Sequence, residues 1–431
     1  MALVTTDPFI RLPPELRIQV LISAGCKSSI LRIIQASPVL LQQYLAHKKS
    51  ILRQVLAAEF DAEMIQDAMA ILLFPNRRTC ADKHQRKKLR RAHLRAWSKS
   101  QLPDPFKSND DHLVDRLEKL HDKILLLVED YVTKATASFP PQEYLCLPEI
   151  QPPSTEGHLV FKDLKVTPRF SSANLTSSEQ KRFVKAFLAF DLLCKDTKFS
   201  FTPSNLRPRK ISNAEFEAIG CVNSYVCSLY GAMLAQCNHA DLPAAFATPT
   251  NLMRWYFPVP DALFFDANVY APNLRLLSRD FGDEIGAGFS ILGLDRLIKF
   301  LRYDMAKPDE RKALDKKLKD VWMYGLYGFP AIAHPWEAYF HNLFATKQKY
   351  KNGHESSLYN QLSLEPKEKL RYKLGQERAW VFFNDSRFYP QESAERPTFP
   401  PERFLVDQPA KKTFINDWFD NLRDDKDQRR G

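Results

Sequence analysis

Apolar positions recur at helical spacing from the first dozen residues onward. Leu12-Pro13-Pro14-Glu15-Leu16 reads as a helix start, followed by Ile18, Val20, Leu21 and Ile22. Proline is tolerated in a first helical turn because its missing N–H would be unpaired there anyway, and Glu15 lies near the positive end of the helix dipole. The apolar residues surround more of this helix than a single stripe would, and Gly25 ends it. A short second helix, capped by Ser28 or Ser29, carries Ile30, Leu31, Ile33 and Ile34. Ser37-Pro38 supplies a cap and a first helical residue for a third helix. That helix bears Leu41, Tyr44, Leu45, Ile51, Leu52, Val55 and Leu56 at close to a 3.6-residue period.

Two more helical stretches follow at 61–74 and 111–138. Prolines 140, 141, 148, 152 and 153 make 139–157 read as a linker. Reciprocal capping boxes open two later helices: Thr176-Ser177-Ser178-Glu179 and Ser212-Asn213-Ala214-Glu215. The second of these helices, over 213–238, is apolar on most sides, as expected at the centre of a domain. Further helices are expected at 290–304, 309–324 and 335–346, and strand-like stretches at 158–166, 198–202 and 379–383. Residues 424–430 form a polar tail with little to bury. No internal repeat is evident. The expected fold is mainly α. An N-terminal three-helix unit (1–60) is followed by a helical segment (61–138), a Pro-rich linker (139–180), a mainly helical C-terminal domain (181–390) and a Pro/charged tail (391–431).

Composition narrows this picture. Of 431 residues, 44 % are hydrophobic, enough for a real core, while only 13 are Gly and 29 are Pro. Scarce glycine disfavours propellers, β-sandwiches and glycine-loop phosphate cradles. Runs of consecutive apolar residues reach about five, as at 124–128, against the ~20 that a membrane-spanning helix needs. The first residues carry no basic, apolar leader pattern. Seven scattered Cys then read as reduced thiols. A cytoplasmic or nuclear location is expected, with no membrane association.

The opening segment resembles an F-box, in the divergent form of filamentous-fungal proteins. The resemblance rests on Leu12-Pro13-Pro14-Glu15-Leu16 with Ile18, Val20 and Leu21, then Leu31, Ile33, Ile34, Ala36-Ser37-Pro38, Tyr44 and Ile51-Leu52. It covers about 45 residues of the chain. A weaker echo is the aromatic-then-Asp-then-Arg stretch from Arg378 to Phe388. The resemblance implies a non-catalytic substrate-recruiting subunit of a cullin–RING ubiquitin ligase. Its N-terminus would bind a Skp-type adaptor, and its C-terminal domain a protein client. Carried over by position, Leu12 and Pro13 would sit in the adaptor's groove and Glu15 would flank them. Leu16, Val20 and Leu21 would extend the contact or face inward. The physics agrees with such a role: a short helical unit cannot bury all its apolar surface alone. The alternative is an adaptor-independent, perhaps nuclear, interaction scaffold.

Other constellations are weaker. Ten basic residues and one acid, Asp82, lie between Arg77 and Lys99, so this window carries +9 of the net +11. Three readings stand. Lys87, Lys88, Arg90 and Arg91 fit a nuclear-import signal; the charge could neutralise nucleic-acid phosphates; or it is a solvated helix face touching the body through Leu89, Leu94 and Trp97. With Trp97 the one aromatic in the window, base stacking has little support, and nucleic acid ranks last. Cys221, Cys227 and Cys237, with His239, are spread too far along one helix to converge on zinc. Gly282, Gly286 and Gly288 read as a tight turn rather than a phosphate site, given Asp283 and Glu284 beside them. Glu337 and His341 are four apart, an acid/base or metal pair in principle and a surface ion pair by default. The aromatic-rich run from Tyr324 to Phe340 reads as core or, where exposed, as a partner groove. No Gly-x-Ser-x-Gly elbow occurs. Neither enzyme chemistry, a metal nor a cofactor is expected.

Overall fold

A computed structural model describes residues 7–25, 27–75, 82–137, 140–148, 150, 160–162, 164–165, 174–197, 213–240, 265, 270, 285–328 and 375–384 of this chain. The punctuation of the N-terminal sequence is realised closely. A 3-10 turn (Pro8–Arg11) leads into α1 (Pro14–Ser23), with Pro14 at the first helical position. Gly25, at φ +72°, provides the left-handed residue that turns the chain. Helix α2 spans Lys27–Ala36, so Ser28 and Ser29 lie inside its first turn instead of capping it. Ser37 caps α3 (Pro38–Glu59) by accepting from Leu40 N at 3.1 Å, with Pro38 next. The chain bends at His47, whose φ/ψ leave the helical region.

Helix α3 serves two cores from different faces. Tyr44, Leu40, Ile51 and Val55 close over Leu21, Ile30 and Ile34 to make a small N-terminal core. One turn on, Leu56 and Phe60 belong to the main core. The main core is built from α4 (Ala62–Leu72), α5 (Lys83–Ser98), α6 (Asp111–Ala135), α7 (Pro140–Glu143), α8 (Ser177–Thr197) and α9 (Asn213–Cys237). It is completed by α10 (Ile285–Ser290), α11 (Leu294–Phe300), α12 (Pro308–Gly328) and a 3-10 turn, Trp380–Phe382. The fold is mainly α, with one antiparallel pair of two-residue strands, Val160–Phe161 and Leu164–Lys165, inside the stretch expected at 158–166.

Helix α9 is the centre. It is apolar almost all round, packs on α8, α10, α12 and the Trp380 turn, and carries Val222, Val226, Leu229, Tyr230 and Met233, all fully buried. Over 217–237 it is long and apolar enough to cross a membrane, yet most of that length is covered by the protein's own helices. The capping box of α8 forms in both directions: Thr176 N donates to Glu179 Oε2 at 2.8 Å, and Glu179 N to Thr176 Oγ1 at 3.3 Å. The matching Ser212 lies outside the described residues.

Several expectations are corrected. The proposed linker is not free over 140–148: Pro140 and Pro141 open a helical turn, where their missing N–H groups are tolerated, and Tyr144, Leu145, Cys146 and Leu147 are buried in the main core. The single helix expected at 290–304 breaks at Gly293 (φ +75°), and the new start is capped from another helix, Leu294 N donating to Asp191 Oδ1 at 2.9 Å. Gly286 and Gly288, read as a turn, are helical in α10, where packing on α9 overrides low propensity. Residues 379–383, read as strand-like, form a 3-10 turn entered through Ala379 at φ +54°. An apolar run buried on all sides does not distinguish strand from helix. The strand at 198–202, the helix at 335–346 and the tail over 391–431 lie outside the described residues.

The 375–384 segment is bound as an internal ligand of the core. Arg182 donates from Nε and Nη2 to Phe382 O (3.0 and 2.7 Å), and Tyr144 OH donates to Glu377 O (2.6 Å). Arg378 Nη1 donates to Ala137 O and Ala135 O (2.5 and 3.2 Å), and Tyr131 OH to Gln376 O. Phe382 stacks on Phe183 at 4.0 Å between centroids, and Trp380 Nε1 donates to Glu217 Oε1 at 3.2 Å. Trp380→Ala empties a site that leaves that side chain 1 % exposed. It is expected to cost about 3–5 kcal/mol in urea unfolding; a loss below about 1 kcal/mol would show that the segment is not part of the cooperative core.

Candidate functional site

The N-terminal unit keeps an apolar outer face. Among the described residues, six large hydrophobic side chains are exposed: Ile10, Leu16, Leu31, Leu41, Leu45 and Leu89. Five of them belong to residues 10–45, and the 3-10 turn and all three helices contribute. Leu16 is 51 % exposed and Leu45 67 %. Pro13 and Glu15 are exposed; Leu12 and Val20 are half-buried, Val20 leaning on the edge of the small core. Leu21 is corrected: it is fully buried in that core and offers nothing outward. Helical geometry is the reason, since Leu21 lies on the side of α1 that meets α3, whereas Leu16 points away.

The 3.6-residue period places Leu41 and Leu45 in the apolar line of the third helix. The core line of α3 instead runs through Leu40, Tyr44, Ile51 and Val55, which leaves 41 and 45, four apart, together on another face. Counting the spacing back from Val55 keeps Leu41 within about 40° of the core line; the break at His47 interrupts that register, and Ile10 and Leu31 carried no signal either. The presenting scaffold is tied down by polar contacts. Asp7 accepts from Phe9 N (2.9 Å) and Ser37 Oγ (2.5 Å), and these bonds hold its carboxyl below the usual range. Arg17 donates to Phe9 O and Ile10 O (3.0 and 2.8 Å), which fixes the turn carrying Ile10.

The unit joins the body through charge as well as through α3. Lys27 Nζ reaches Glu118 and Asp122 of α6 at 3.0 and 2.6 Å. Arg53 donates to Phe106 O and to Asn109 Oδ1 in the turn before α6. Glu59 Oε2 and His121 Nε2 meet at 3.1 Å in a nearly dry junction, where Gln180 Nε2 also donates to Glu59 Oε1 (2.6 Å).

The basic stretch is an ordered helix over Lys83–Ser98, capped by Asp82, which accepts from His84 N and Gln85 N. Its inner face is pinned to α4 and the residues after it: Arg90 Nε donates to Pro75 O at 2.9 Å and its guanidinium lies over Phe74. Trp97 Nε1 donates to Asp67 Oδ1 at 2.8 Å, and Leu94 is buried. Arg90 is therefore corrected as a member of an accessible import signal; its group is used inside. Lys87, Lys88 and Arg91 are exposed. Arg77 and Arg78 lie outside the described residues, as do Gly282, Glu337, His341 and the aromatic run from 329.

The interior holds a polar cluster. Lys134, fully buried, bridges Asp130 Oδ2 and Cys146 O, each at 2.7 Å, and Tyr225 OH donates to the same carboxylate oxygen at 2.7 Å. Glu377 lies nearby in the chain beside Arg378, and its Oε2 finds no hydrogen-bond partner among the described residues. Cys221 and Cys237 lie on one long helix, about four and a half turns apart, and no group of three His, Cys, Asp or Glu among the described residues is placed to hold a metal.

Comparison with protein-family models, with curated proteins and with solved structures finds no match to this chain.

Burial pushes the Glu377 carboxyl up to about 8. The folded state therefore keeps a proton that the unfolded chain has released above its ordinary carboxylate range, and stability falls as pH rises toward 8. His121, held near 4 by burial, acts in the opposite sense but only below the ordinary histidine range of about 6.5. Glu59, raised to about 7, adds to the fall in the lower part of the window. Between pH 6.5 and 8 the wild type is expected to lose roughly 2 kcal/mol in urea unfolding. Glu377→Gln should remove most of that loss; an equal pH dependence in the variant would show that another group carries it.

Proposed function

We propose that this chain is an F-box-like protein whose first three helices dock a Skp-type adaptor of a cullin–RING ubiquitin ligase, while the helical body selects a protein client. The observation that supports this reading is the concentration of exposed large hydrophobics in residues 10–45, on a unit that already has a filled core of its own. Apolar surface left in water costs about 25 cal/mol per Å², and a partner that covers it removes that cost. The same positions carry the F-box resemblance: Leu12, Pro13, Glu15 and Leu16 open α1 and are exposed or half-buried. Leu31, Leu41 and Leu45 extend the apolar surface to the second and third helices. In this reading the chain performs no chemistry; it holds a client near a ligase that does.

Mixing the full chain with a purified Skp-type adaptor should give a complex on size exclusion. Leu16→Asp or Leu45→Asp, at sites where the side chain is already in water, should leave unfolding unchanged and weaken the complex about thirtyfold or more, the scale of a hot-spot loss. Leu12→Ala with Pro13→Ala should do the same. A wild-type chain that forms no complex, or variants that bind equally well, would overturn the reading in favour of an adaptor-independent scaffold.

A further inference from the structure

We propose that the outward face of α5 binds the phosphate backbone of duplex nucleic acid without reading base sequence. At about 100° per residue, Lys88, Arg91, Arg95 and Lys99 fall within an arc of about 80°, with Lys87 just beside it. All five are exposed. Their stripe runs about 16 Å along the helix axis at 1.5 Å per residue.

Three features set this face apart from an ordinary solvated one. First, a solvated helix face usually interleaves acids four residues from its bases, and after Asp82 this helix contains none. Second, none of Lys87, Lys88, Arg91, Arg95 and Lys99 meets a carboxylate from another element among the described residues, whereas Lys27, Lys134, Lys185 and Lys195 are all paired. Third, the stripe is rigid. Arg90, Leu94 and Trp97 fasten the opposite side of the helix to the body, so the five cations project from a fixed row of backbone positions.

The partner must be a regular, dense polyanion. A duplex carries one negative charge per about 1.7 Å of axis and gives up condensed counterions to a row of cations. An anionic membrane fits less well. A surface-lying helix needs an apolar face to insert, and here that face is spent on the protein, with Leu89 the only large apolar side chain of the helix left exposed. Base stacking is also closed off, because Trp97 is half-buried and engaged with Asp67. Contact is thus with phosphates alone, and every base sequence should bind alike.

Fluorescence anisotropy of the full chain with labelled 20-base-pair DNA and RNA duplexes, from 50 to 200 mM salt, tests this. The expected slope of log affinity against log salt on DNA is about −3.6 for four phosphate contacts. Arg91→Gln with Arg95→Gln should reduce the slope by about 1.8 and the affinity at 100 mM salt by about tenfold or more. Lys312→Gln with Lys316→Gln, which removes the same charge from an exposed part of α12, should leave both nearly unchanged. Two unrelated duplex sequences should bind within about threefold. The proposal is overturned by no binding to either duplex at 50 mM salt, or by equal losses in the two double variants. Binding to phosphatidylserine-containing vesicles without binding to duplexes would also overturn it.

Discussion

The main core is closed by a short stretch near the C-terminal end of the described chain. Residues 375–384 bring backbone carbonyls into the interior, and the body answers with side chains. Arg182, Tyr131 and Tyr144 donate to Phe382, Gln376 and Glu377 carbonyls, while Arg378 reaches back to Ala135 and Ala137. A buried polar group without a partner costs on the order of 1–3 kcal/mol, so these bonds fix the segment's conformation more than they add net stability. Glu179 shows the economy of the arrangement: one carboxylate oxygen completes the cap of α8 and the other accepts from Asn384 N at 2.9 Å. The start of a helix and the seating of a segment 205 residues away are one structure.

The same logic separates the N-terminal unit from the body. Its core is small, and it shares α3 with the rest: Leu40, Tyr44, Ile51 and Val55 face the unit, Leu56 and the following Phe60 the body. Further polar contacts run through Lys27 to Glu118 and Asp122, Arg53 to Phe106 O, and Gln180 to Glu59. Such pairs orient two bodies more than they bind them. A unit attached in this way keeps its outer surface, on which five of the six exposed large hydrophobics among the described residues lie. On the opposite pattern, α5 spends its apolar side on the body and turns cations outward.

Much of the local structure was legible in the residues. Pro14, Gly25, Ser37-Pro38 and the Thr176–Glu179 box mark helix ends because each satisfies, or dispenses with, a backbone group that a helix end leaves unpaired. The all-round apolarity of 213–238 announced a central helix. Other features depended on neighbours far away in sequence. Tyr144 to Leu147 sit in a proline-rich stretch that reads as a connector, and only the docking of 375–384 and α9 beside them makes it core. Arg90 and Arg91 are indistinguishable in a basic run, yet one lies against Phe74 and the other in water. Leu41 and Leu45 look like core until the bend in α3 fixes which line of residues faces α1.

The residues alone determined several helix ends, that helices dominate, and that the positive charge is gathered in one window. Those are local properties, set by hydrogen-bonding capacity, backbone freedom and periodicity within a few residues. Only the tertiary structure decided which apolar side chains remain exposed and which cations remain unpaired. Exposure is a property of what packs against a residue, and a partner that lies dozens or hundreds of positions away leaves no mark on the pattern around it.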